Sequence, residues 1–325
     1  MLALSVLGLG GCSADGGSNG ATSASAVPTL KLTATAETVP VGTVARDAAD
    51  DPAIWRNPDN PGKSLVIGTD KRAGLYVFGM DGSQKSFLPE GELNNVDVRE
   101  VMIDGRKTVL VGASIRNDRN HAHIGLYRLD TASAKLQPLG KFAAGAGEAY
   151  GFCLGQDKGG VPNAEVTREH KLATQPEGCV VDDRTGRLYV GEENVAIWIY
   201  DLNADAFVPQ RFADVNGREL VADVEGLALA PKGKNGGYLV ASSQGDNAYV
   251  LYDLSTGKYV NRFRLVDGVV DGTSETDGIE VILGDFGPDY PDGLMVAQDG
   301  DNGNQTQNFK YVSWRRVMEV LEGSK

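Results

Sequence analysis

Asp277-Gly278-Ile279-Glu280-Val281, followed by Leu294-Met295-Val296-Ala297-Gln298-Asp299, is the stretch that decides the fold. It joins an acidic residue and a glycine to a strand-like run, and a second run then ends in a polar cluster. The same unit occurs as Glu177-Gly178-Cys179-Val180-Val181 with 188–193, and as Glu225-Gly226-Leu227-Ala228-Leu229 with 238–244. Short β-branched and aromatic runs bounded by Gly, Asp and Asn predict strands. The chain therefore repeats a pair of strands.

Earlier copies of this unit give the number of repeats. They are Asp51-Pro52-Ala53-Ile54-Trp55, Asn95-Val96-Asp97-Val98 and Tyr150-Gly151-Phe152-Cys153. The units start at 51, 97, 150, 177, 225 and 277. Most intervals are close to the roughly 40–50 residues of a four-stranded propeller blade, but the 27 residues from 150 to 177 are too few. We therefore predict an all-β fold, a six-bladed β-propeller with a shortened third blade.

Both ends of the predicted single domain, residues 30–325, carry shorter patterns. Leu30-Lys31-Leu32-Thr33-Ala34-Thr35 alternates apolar and polar residues, so we expect it to add an outer strand to the last blade and close the ring. Val317-Met318-Glu319-Val320-Leu321 is predicted to form a short helix.

The N-terminal residues resemble an export signal. Residues 1–12 are small and apolar and end in Leu9-Gly10-Gly11-Cys12, like a bacterial lipoprotein signal in which Cys12 bears the lipid. Residues 13–29 form a Gly/Ser/Ala-rich flexible tether. We expect an exported protein, lipid-anchored to the bacterial cell envelope (periplasmic or cell-surface) or secreted. In an oxidising compartment Cys153 and Cys179 are expected to pair, with two buried free thiols as the alternative.

Charge limits the classes of partner. The chain has 31 basic and 44 acidic residues, a net charge of 31 − 44 = −13. This argues against nucleic acid or an anionic membrane surface as the main partner, so the only predicted membrane contact is the lipid at Cys12. We expect a monomer. The same acidity would repel a phosphorylated substrate unless cations intervene.

The repeat is expected to gather acidic side chains at the axis. The first strand of each propeller blade lines the central channel, which would bring together Asp51, Asp97, Glu177, Glu225 and Asp277. Like charges gathered there repel unless cations lie between them.

The segment Asp271-Gly272-Thr273-Ser274-Glu275-Thr276-Asp277-Gly278 is the richest in oxygen ligands. Its three carboxylates and three hydroxyls suit calcium, which prefers hard oxygen donors. The alternative is an acidic surface turn whose side chains bond their own backbone. The recurrence of acidic corners along the chain favours calcium.

Nine motifs from these corners occur together. In order they are Asp50-Asp51-Pro52-Ala53-Ile54-Trp55, Asn94-Asn95-Val96-Asp97-Val98-Arg99, Ala149-Tyr150-Gly151-Phe152, Pro176-Glu177-Gly178, Glu192-Glu193, Asp223-Val224-Glu225-Gly226-Leu227, Ser242-Ser243-Gln244-Gly245, the 271–278 segment and Ala297-Gln298-Asp299-Gly300-Asp301-Asn302. The set resembles the β-propeller phytases, the alkaline, calcium-dependent phytase family. The match runs from Glu37 to Trp314 in the family's order.

The resemblance implies a calcium-dependent phosphomonoesterase that hydrolyses phytate (inositol hexakisphosphate) to lower inositol phosphates and phosphate by metal-activated water. The residue chemistry points the same way. The sequence has no Gly-x-x-x-x-Gly-Lys-Ser/Thr phosphate loop. His121, His123 and His170 lie outside the acidic corners, and His121-Ala122-His123 is read as a strand-end or loop pair in preference to a metal pair. Neither Cys153 nor Cys179 has an obvious base beside it in the sequence, so metal-assisted attack by water remains.

Site residues are carried over from the resemblance. Ligands of the catalytic calcium ions are predicted to be Glu37, Tyr150, Glu177, Asp223, Glu225, Asp271 and Asp277. Ligands of calcium ions that stabilise the fold are predicted to be Asp50, Asp51, Asp97, Asp299 and Asn302. Glu193 and Gln244 are placed beside the substrate, with ordinary loop polarity as the alternative.

Two basic residues match the family's phosphate-binding lysine and arginine, Lys71 and Arg116. Arg116 can offer a fork to two oxygens, whereas Lys71 acts as a point charge. The alternative is that both are solvated charges at strand ends. We place both in the catalytic set, with Tyr150, Glu177, Glu225, Asp271 and Asp277.

The sequence departs from the family at the shortened blade, where the family carries another lysine that holds a neighbouring phosphate. Lys158 is the sole candidate replacement. The shortening predicts a weakened second phosphate site. Two alternatives stay open: a non-catalytic or weakened lipoprotein that binds phytate or phosphate at the cell surface, and another calcium propeller hydrolase such as a lactonase.

Overall fold

In the computed structural model, residues 27–156 and 168–324 are described. Two short strands come first, β1 (Leu30–Thr33) and β2 (Ala36–Glu37). The strands that follow are β3 (Ala49–Trp55), β4 (Leu65–Asp70), β5 (Gly74–Gly79), β6 (Gln84–Pro89), β7 (Leu93–Ile103), β8 (Arg106–Ile115), β9 (His121–Asp130), β10 (Lys135–Ala146), β11 (Pro176–Asp182), β12 (Arg187–Glu192), β13 (Ala196–Asp201), β14 (Gln210–Asp214), β15 (Val224–Lys232), β16 (Gly236–Ser243), β17 (Ala248–Asp253), β18 (Tyr259–Val266), β19 (Ile279–Leu283), β20 (Gly293–Asp299) and β21 (Asn308–Ser313). A helix, α1 (Trp314–Gly323), comes last.

The described strands form five sheets, so the all-β propeller is confirmed and the predicted count of six blades is wrong. The sheets are β3–β6, β7–β10, β11–β14, β15–β18 with β1, and β19–β21 with β2. Within each, strands that are consecutive in the chain pair antiparallel. The described residues of the predicted third blade form no sheet, and the interval that starts at Tyr150 is too short for four strands.

The connection between β10 and β11 nevertheless lies where that blade was expected. The Leu154 N–H donates to Asp97 Oδ2 on β7 over 2.8 Å. Phe152 packs against the second sheet, and Cys153 packs against the third. Cys153 also forms a disulfide with Cys179 on β11, as predicted. The described part of this connection thus bridges the second and third sheets.

The core of the described chain lies between sheets. Buried apolar side chains form six clusters. Four of these clusters join neighbouring sheets directly, and the other two join the β10–β11 connection to the sheet on each side. The connection therefore supplies two packing surfaces, as a blade would.

The ring is closed by a different N-terminal segment from the one predicted. Leu30–Thr33 pairs parallel with β18 in the fourth sheet, while Ala36–Glu37 pairs with β21 and completes the fifth. The alternation predicted an edge strand but could not choose between two adjacent edges. The C-terminal helix is confirmed, and it packs on the fourth and fifth sheets through Trp314, Val317 and Leu321. Among the described residues, no helix has the length and apolarity needed to cross a membrane.

Candidate active site

One face of the propeller collects most of the predicted site residues. In each sheet the start of the inner strand pairs with the end of the second strand, as Ala49 does with Asp70 and Val224 with Ser243. The acidic corners at inner-strand starts therefore lie beside the turns that follow the second strands. Those turns carry Lys71, Arg116, Glu193, Gln244 and Asn302.

Bulges and glycines explain the local sequence of these corners. The β11–β12 ladder shifts register between Pro176 and Cys179, and three other inner strands shift at the equivalent point. Such a shift bends a strand and re-aims a side chain. A Cβ on Gly178 would overlap the carbonyl oxygen of Glu225 on the next inner strand. The acidic residue and glycine thus let neighbouring inner strands approach while one carboxylate turns into the site.

Lys71 lies at the centre of the first carboxylate group. Its Nζ is 2.8 Å from Asp47 Oδ1, 3.0 Å from Asp50 Oδ1 and 3.2 Å from Asp277 Oδ2. Burial opposes its charge, but Asp277, Asp50 and Glu177 outweigh burial and raise the Lys71 pKa well above its ordinary value. Gln244 Nε2 donates to Asp277 Oδ1 over 2.6 Å. Lys71 is therefore a fixed positive charge.

Glu177, Glu193 and Glu225 form an adjoining cluster in which one oxygen from each lies within 4.8 Å of the others. Burial, followed by repulsion from Glu177, raises the pKa of Glu225 well above its ordinary value. Burial, then Glu177 and Asp223, raises the pKa of Glu193 to about 8. Ionising all three carboxyl groups at this distance is energetically unfavourable unless a cation lies between them.

Arg116 and Tyr150 lie next to this cluster. The guanidinium carbon of Arg116 is 4.7 Å from the centre of the Tyr150 ring. Arg116 Nη1 donates to Asn94 Oδ1 over 2.7 Å, and Asn94 Nδ2 donates to Glu177 Oε1 over 3.0 Å. Repulsion from Glu177, with burial, raises the pKa of Tyr150. The phenol therefore keeps its proton at neutral pH.

A second buried lysine, Lys310, holds four other predicted ligands. Its ammonium contacts Glu37 Oε2 and Asp271 Oδ1, and it lies 3.2 Å from Asp299 Oδ2 and 3.4 Å from Asn302 Oδ1. Sequence analysis missed Lys310. The structure shows that Lys310 lies in a strand, Asn308–Ser313, whose residues are all buried, and the sequence carries no local signal of that burial.

A third acidic group lies deeper in the channel. Asp51 and Asp97, both predicted ligands, line a narrow cavity of about 20 Å³ together with Glu280. The Asp97 carboxylate is already bonded, since Arg99 Nη1 donates to its Oδ1 over 2.7 Å. Burial, then Asp97, raises the pKa of Glu280 to about 8. Glu280 and Arg99 were quoted within motifs but not assigned a role.

The structure therefore groups the predicted residues differently from the two proposed calcium sets. Asp50, from the fold-stabilising set, shares Lys71 with Asp277, from the catalytic set. Lys158 lies outside the described residues. His121 and His123 are on β9, and His121 Nδ1 lies 2.9 Å from Asp118 Oδ2, away from the acidic corners as predicted.

The residues fit a hard divalent cation. Glu225 is buried, and its Oε2 has no hydrogen-bond partner among residues 27–156 and 168–324. The oxygens of Glu177 and Glu193 lie beside Glu225. A set of carboxylate oxygens with one unsatisfied buried atom suits calcium better than a softer metal.

Comparisons with known proteins agree with the motifs. The family model described as Phytase matches residues 2–159 and 143–325, two segments that overlap at the end of β10 and in the connection to β11. The chain is 40% identical over 331 residues to a 3-phytase of Bacillus subtilis (strain 168), covering 90% of this chain and 86% of that protein.

Solved structures are more distant. A GH43_1 enzyme from Xanthomonas citri complexed with xylotriose aligns with a TM-score of 0.49 and 13% identity, over 86% of this chain and 90% of that one. A glucose dehydrogenase aligns with a TM-score of 0.47 and 14% identity, over 82% and 98%. With scores below 0.5, these two likenesses support no further conclusion.

Proposed function

The chain belongs to the phytase family, and we propose that it releases phosphate from phytate with the help of calcium ions. The observation that carries this proposal is the position of a buried ammonium, Lys71, beside acidic groups that need a cation. Positive side chains and a carboxylate cluster on one face offer separate contacts for an anionic substrate and for a metal.

Lys71 and Arg116 are the phosphate-binding residues in this proposal. Lys71 supplies a point charge held by buried carboxylates, and Arg116 supplies a planar fork whose orientation is fixed by Asn94 and by the face of Tyr150. Fixed cations stabilise charge that develops on a transferring phosphoryl group without reorganising at that moment. Tyr150 Oη retains its proton and can donate a hydrogen bond.

The calcium ligands follow from the same geometry. We assign Glu177, Glu193 and Glu225 first, with Asp223 and Asp277 adjoining, because these carboxylates interact electrostatically with one another. When bound, calcium would attract the phosphate oxygens and make an attacking water more acidic. Glu37 and Asp271 lie around Lys310, so their assignment to the catalytic ions remains a prediction.

The deciding experiment measures phosphate release from phytate by the purified protein in excess calcium and in excess chelator. We expect release with calcium and little with chelator. The Lys107→Met variant should release phosphate at the same rate as the unchanged protein, because Lys107 is exposed and pairs with Glu100 away from the site. It is the control for lysine substitutions within the site. Calcium-independent release would contradict the calcium part of the proposal alone.

No release from protein that binds phytate and melts cooperatively would favour the non-catalytic phytate-binding alternative. Hydrolysis of a lactone but not of phytate would favour the other calcium propeller hydrolase. Arg116 and Lys71 argue against that outcome, because a neutral lactone offers the two cations no anionic group to bind.

We also propose export and lipid attachment at Cys12, on the sequence pattern alone, since Cys12 lies outside the described residues. Metabolic labelling with a fatty-acid analogue tests this proposal. Wild-type protein should carry the label in membranes, whereas a Cys12→Ala variant should not.

A further inference from the structure

We propose that the Cys153–Cys179 disulfide positions Tyr150 and Glu177 in the site, in place of the strand pairing that holds the other inner segments of the ring. This inference rests on the proposed function, because it concerns the calcium site of that reaction. Tyr150 precedes Cys153 by three residues, and Glu177 precedes Cys179 by two. The bond therefore joins the two segments that carry these site residues.

The segment 150–155 lies against β11 in the way that one inner strand lies against the next. A Cβ on Gly151 would be 1.9 Å from the carbonyl oxygen of Glu177 at the start of β11. The same relation holds between β11 and β15, where a Cβ on Gly178 would be 2.0 Å from the carbonyl oxygen of Glu225. The segment therefore occupies the position of an inner strand between the second and third sheets.

This segment lacks the ladder that holds the five inner strands. Each inner strand pairs with the second strand of its sheet, whereas residues 149–156 belong to none of the five sheets. Toward the second sheet, two hydrogen bonds take the place of the ladder. The Leu154 N–H donates to Asp97 Oδ2 over 2.8 Å, and Arg99 Nη2 donates to the Leu154 carbonyl oxygen over 2.7 Å. These bonds fix the segment four residues beyond Tyr150.

Toward the third sheet, the disulfide is the bonded contact nearest to Tyr150 in the described chain. The Gln156 N–H donates to Asp183 Oδ1 over 2.7 Å, but this contact lies beyond the end of β11 and away from the site. The Cys153–Cys179 bond lies between that contact and Tyr150, and it holds the two Cα atoms 5.7 Å apart. Cys153 is also buried in the apolar cluster of the third sheet.

Tyr150 and Glu177 both contribute to the geometry of the site. The Tyr150 ring centre is 4.7 Å from the guanidinium carbon of Arg116, and Glu177 belongs to the carboxylate cluster with Glu193 and Glu225. Breaking the disulfide releases the Tyr150 segment from β11, so these groups are no longer held in one arrangement. A binding site loses affinity when the residues that support its ligands are removed. We therefore expect weaker calcium binding without the bond.

The experiment breaks the bond in two ways, in a Cys12→Ala background that leaves no third cysteine. Dithiothreitol reduces the disulfide to two thiols and is itself oxidised to a cyclic disulfide. The double variant Cys153→Ala/Cys179→Ala removes the bond by substitution, and the reductant should not affect it. Leu321→Ala is the control for lost stability, because Leu321 is buried on α1, which carries none of the site residues.

Two quantities are measured on each protein, the calcium Kd by calorimetry and amide hydrogen exchange in residues 149–156 and in α1. Breaking the bond by either route should raise the calcium Kd about tenfold. It should also speed exchange in residues 149–156 and leave exchange in α1 unchanged. Leu321→Ala should lower Tm and leave the calcium Kd unchanged.

An unchanged calcium Kd after the bond is broken would overturn the proposal, even if exchange in residues 149–156 became faster. An equal rise of the Kd in Leu321→Ala would overturn it as well, because a general loss of stability would then explain the effect. Phosphate release is recorded separately. A protein that binds calcium without hydrolysing phytate therefore fails the proposed function, and its calcium Kd still decides whether the disulfide positions the site.

Discussion

Two buried lysines, Lys71 and Lys310, have nearly the same surroundings and differ in what lies beyond them. Each ammonium contacts three carboxylates, of which one is fully buried and one is half exposed. Lys71 follows the second strand of its sheet and interacts electrostatically with Tyr150 and Glu177, and Arg116 acts on the same Tyr150. Lys310 lies on β21, pairs across the sheet with Glu37 and is fully enclosed.

The difference indicates that one local pattern serves two purposes. A buried cation costs several kcal/mol to desolvate unless carboxylates compensate it. Lys71 thereby links the first sheet to Asp277 at the start of the fifth, and Lys310 links β2 to the rest of the fifth sheet. Only Lys71 remains 7% exposed beside other positive groups. We therefore infer that Lys71 acts on the substrate and that Lys310 acts as an internal counter-ion for acidic residues. Four substitutions and conditions test this division.

The largest expected effect is on folding, from Lys310→Met. Removing one partner of a buried ion-pair group leaves carboxylates uncompensated, and this typically costs about 3–5 kcal/mol of unfolding free energy. Chemical denaturation in chelator measures it, with Lys85→Met, an exposed pair with Asp81, as the control. Excess calcium should recover part of the loss. An unchanged unfolding midpoint in chelator would remove Lys310 from its structural role.

Lys71→Met should act chiefly on turnover. Loss of a preorganised charge at a reacting phosphate costs about 10²–10³-fold in kcat, and this is measured as phosphate release with calcium. If Lys71→Met and Lys310→Met reduce kcat equally once calcium has restored stability, the two lysines do not have the different roles assigned to them here. Lys107→Met should leave both stability and turnover near wild type.

The pH dependence of the calcium-free protein should be smaller but has a definite sign. Burial raises the pKa of Glu193 to about 8, and burial with Glu177 raises that of Asp277 to about 6 despite Lys71. A folded-state pKa above the unfolded value means that the folded protein binds protons more tightly. The contribution of these two groups to stability is therefore greatest below their unfolded pKa values, and it is lost as pH rises through about 6 for Asp277 and about 8 for Glu193.

Melting curves in chelator between pH 6 and pH 9 test that sign. We expect Tm to fall over this range, and calcium to stabilise more at pH 9 than at pH 6, because ionised carboxylates bind it better. A calcium-free Tm that rises over the range would show that these carboxyl groups are not the ones that limit stability.

The sequence predicted much of this arrangement because the repeat couples an acidic residue to a glycine at the inner strands of the last three sheets. Glu177-Gly178 and Glu225-Gly226 fixed both the strand and the carboxylate that turns into the site. The interval from Tyr150 to Glu177 was harder to interpret. Its 27 residues are too few for four strands, but the sequence does not indicate which structure takes their place. Nothing local indicated that Phe152 and Cys153 would pack against sheets on opposite sides.

Lys310, Arg72 and Arg119 could not be predicted for a different reason. Their partners are distant in sequence: Lys310 contacts Glu37, which is 273 residues away. A lysine in a strand is usually solvated, and only the closure of the ring by β2 encloses this one. Similarly, Arg72 and Arg119 read as surface charges until the turns of two neighbouring sheets bring them to Glu92.

The smallest effect is expected from Asp271→Asn. This substitution tests whether the carboxylates around Lys310 have a function separate from that of the carboxylates around Lys71. Lys310 keeps Glu37 and Asp299 as partners, and Asp271 is 41% exposed, so stability should change by about 1 kcal/mol or less. If Asp271 also binds a catalytic calcium ion, turnover should fall further than stability, and the calcium concentration for half-maximal activity should rise. Asp292→Asn, which breaks an exposed pair with Arg315, is the control. Unchanged turnover and calcium dependence would confine Asp271 to the Lys310 group and leave catalysis to the carboxylates around Lys71.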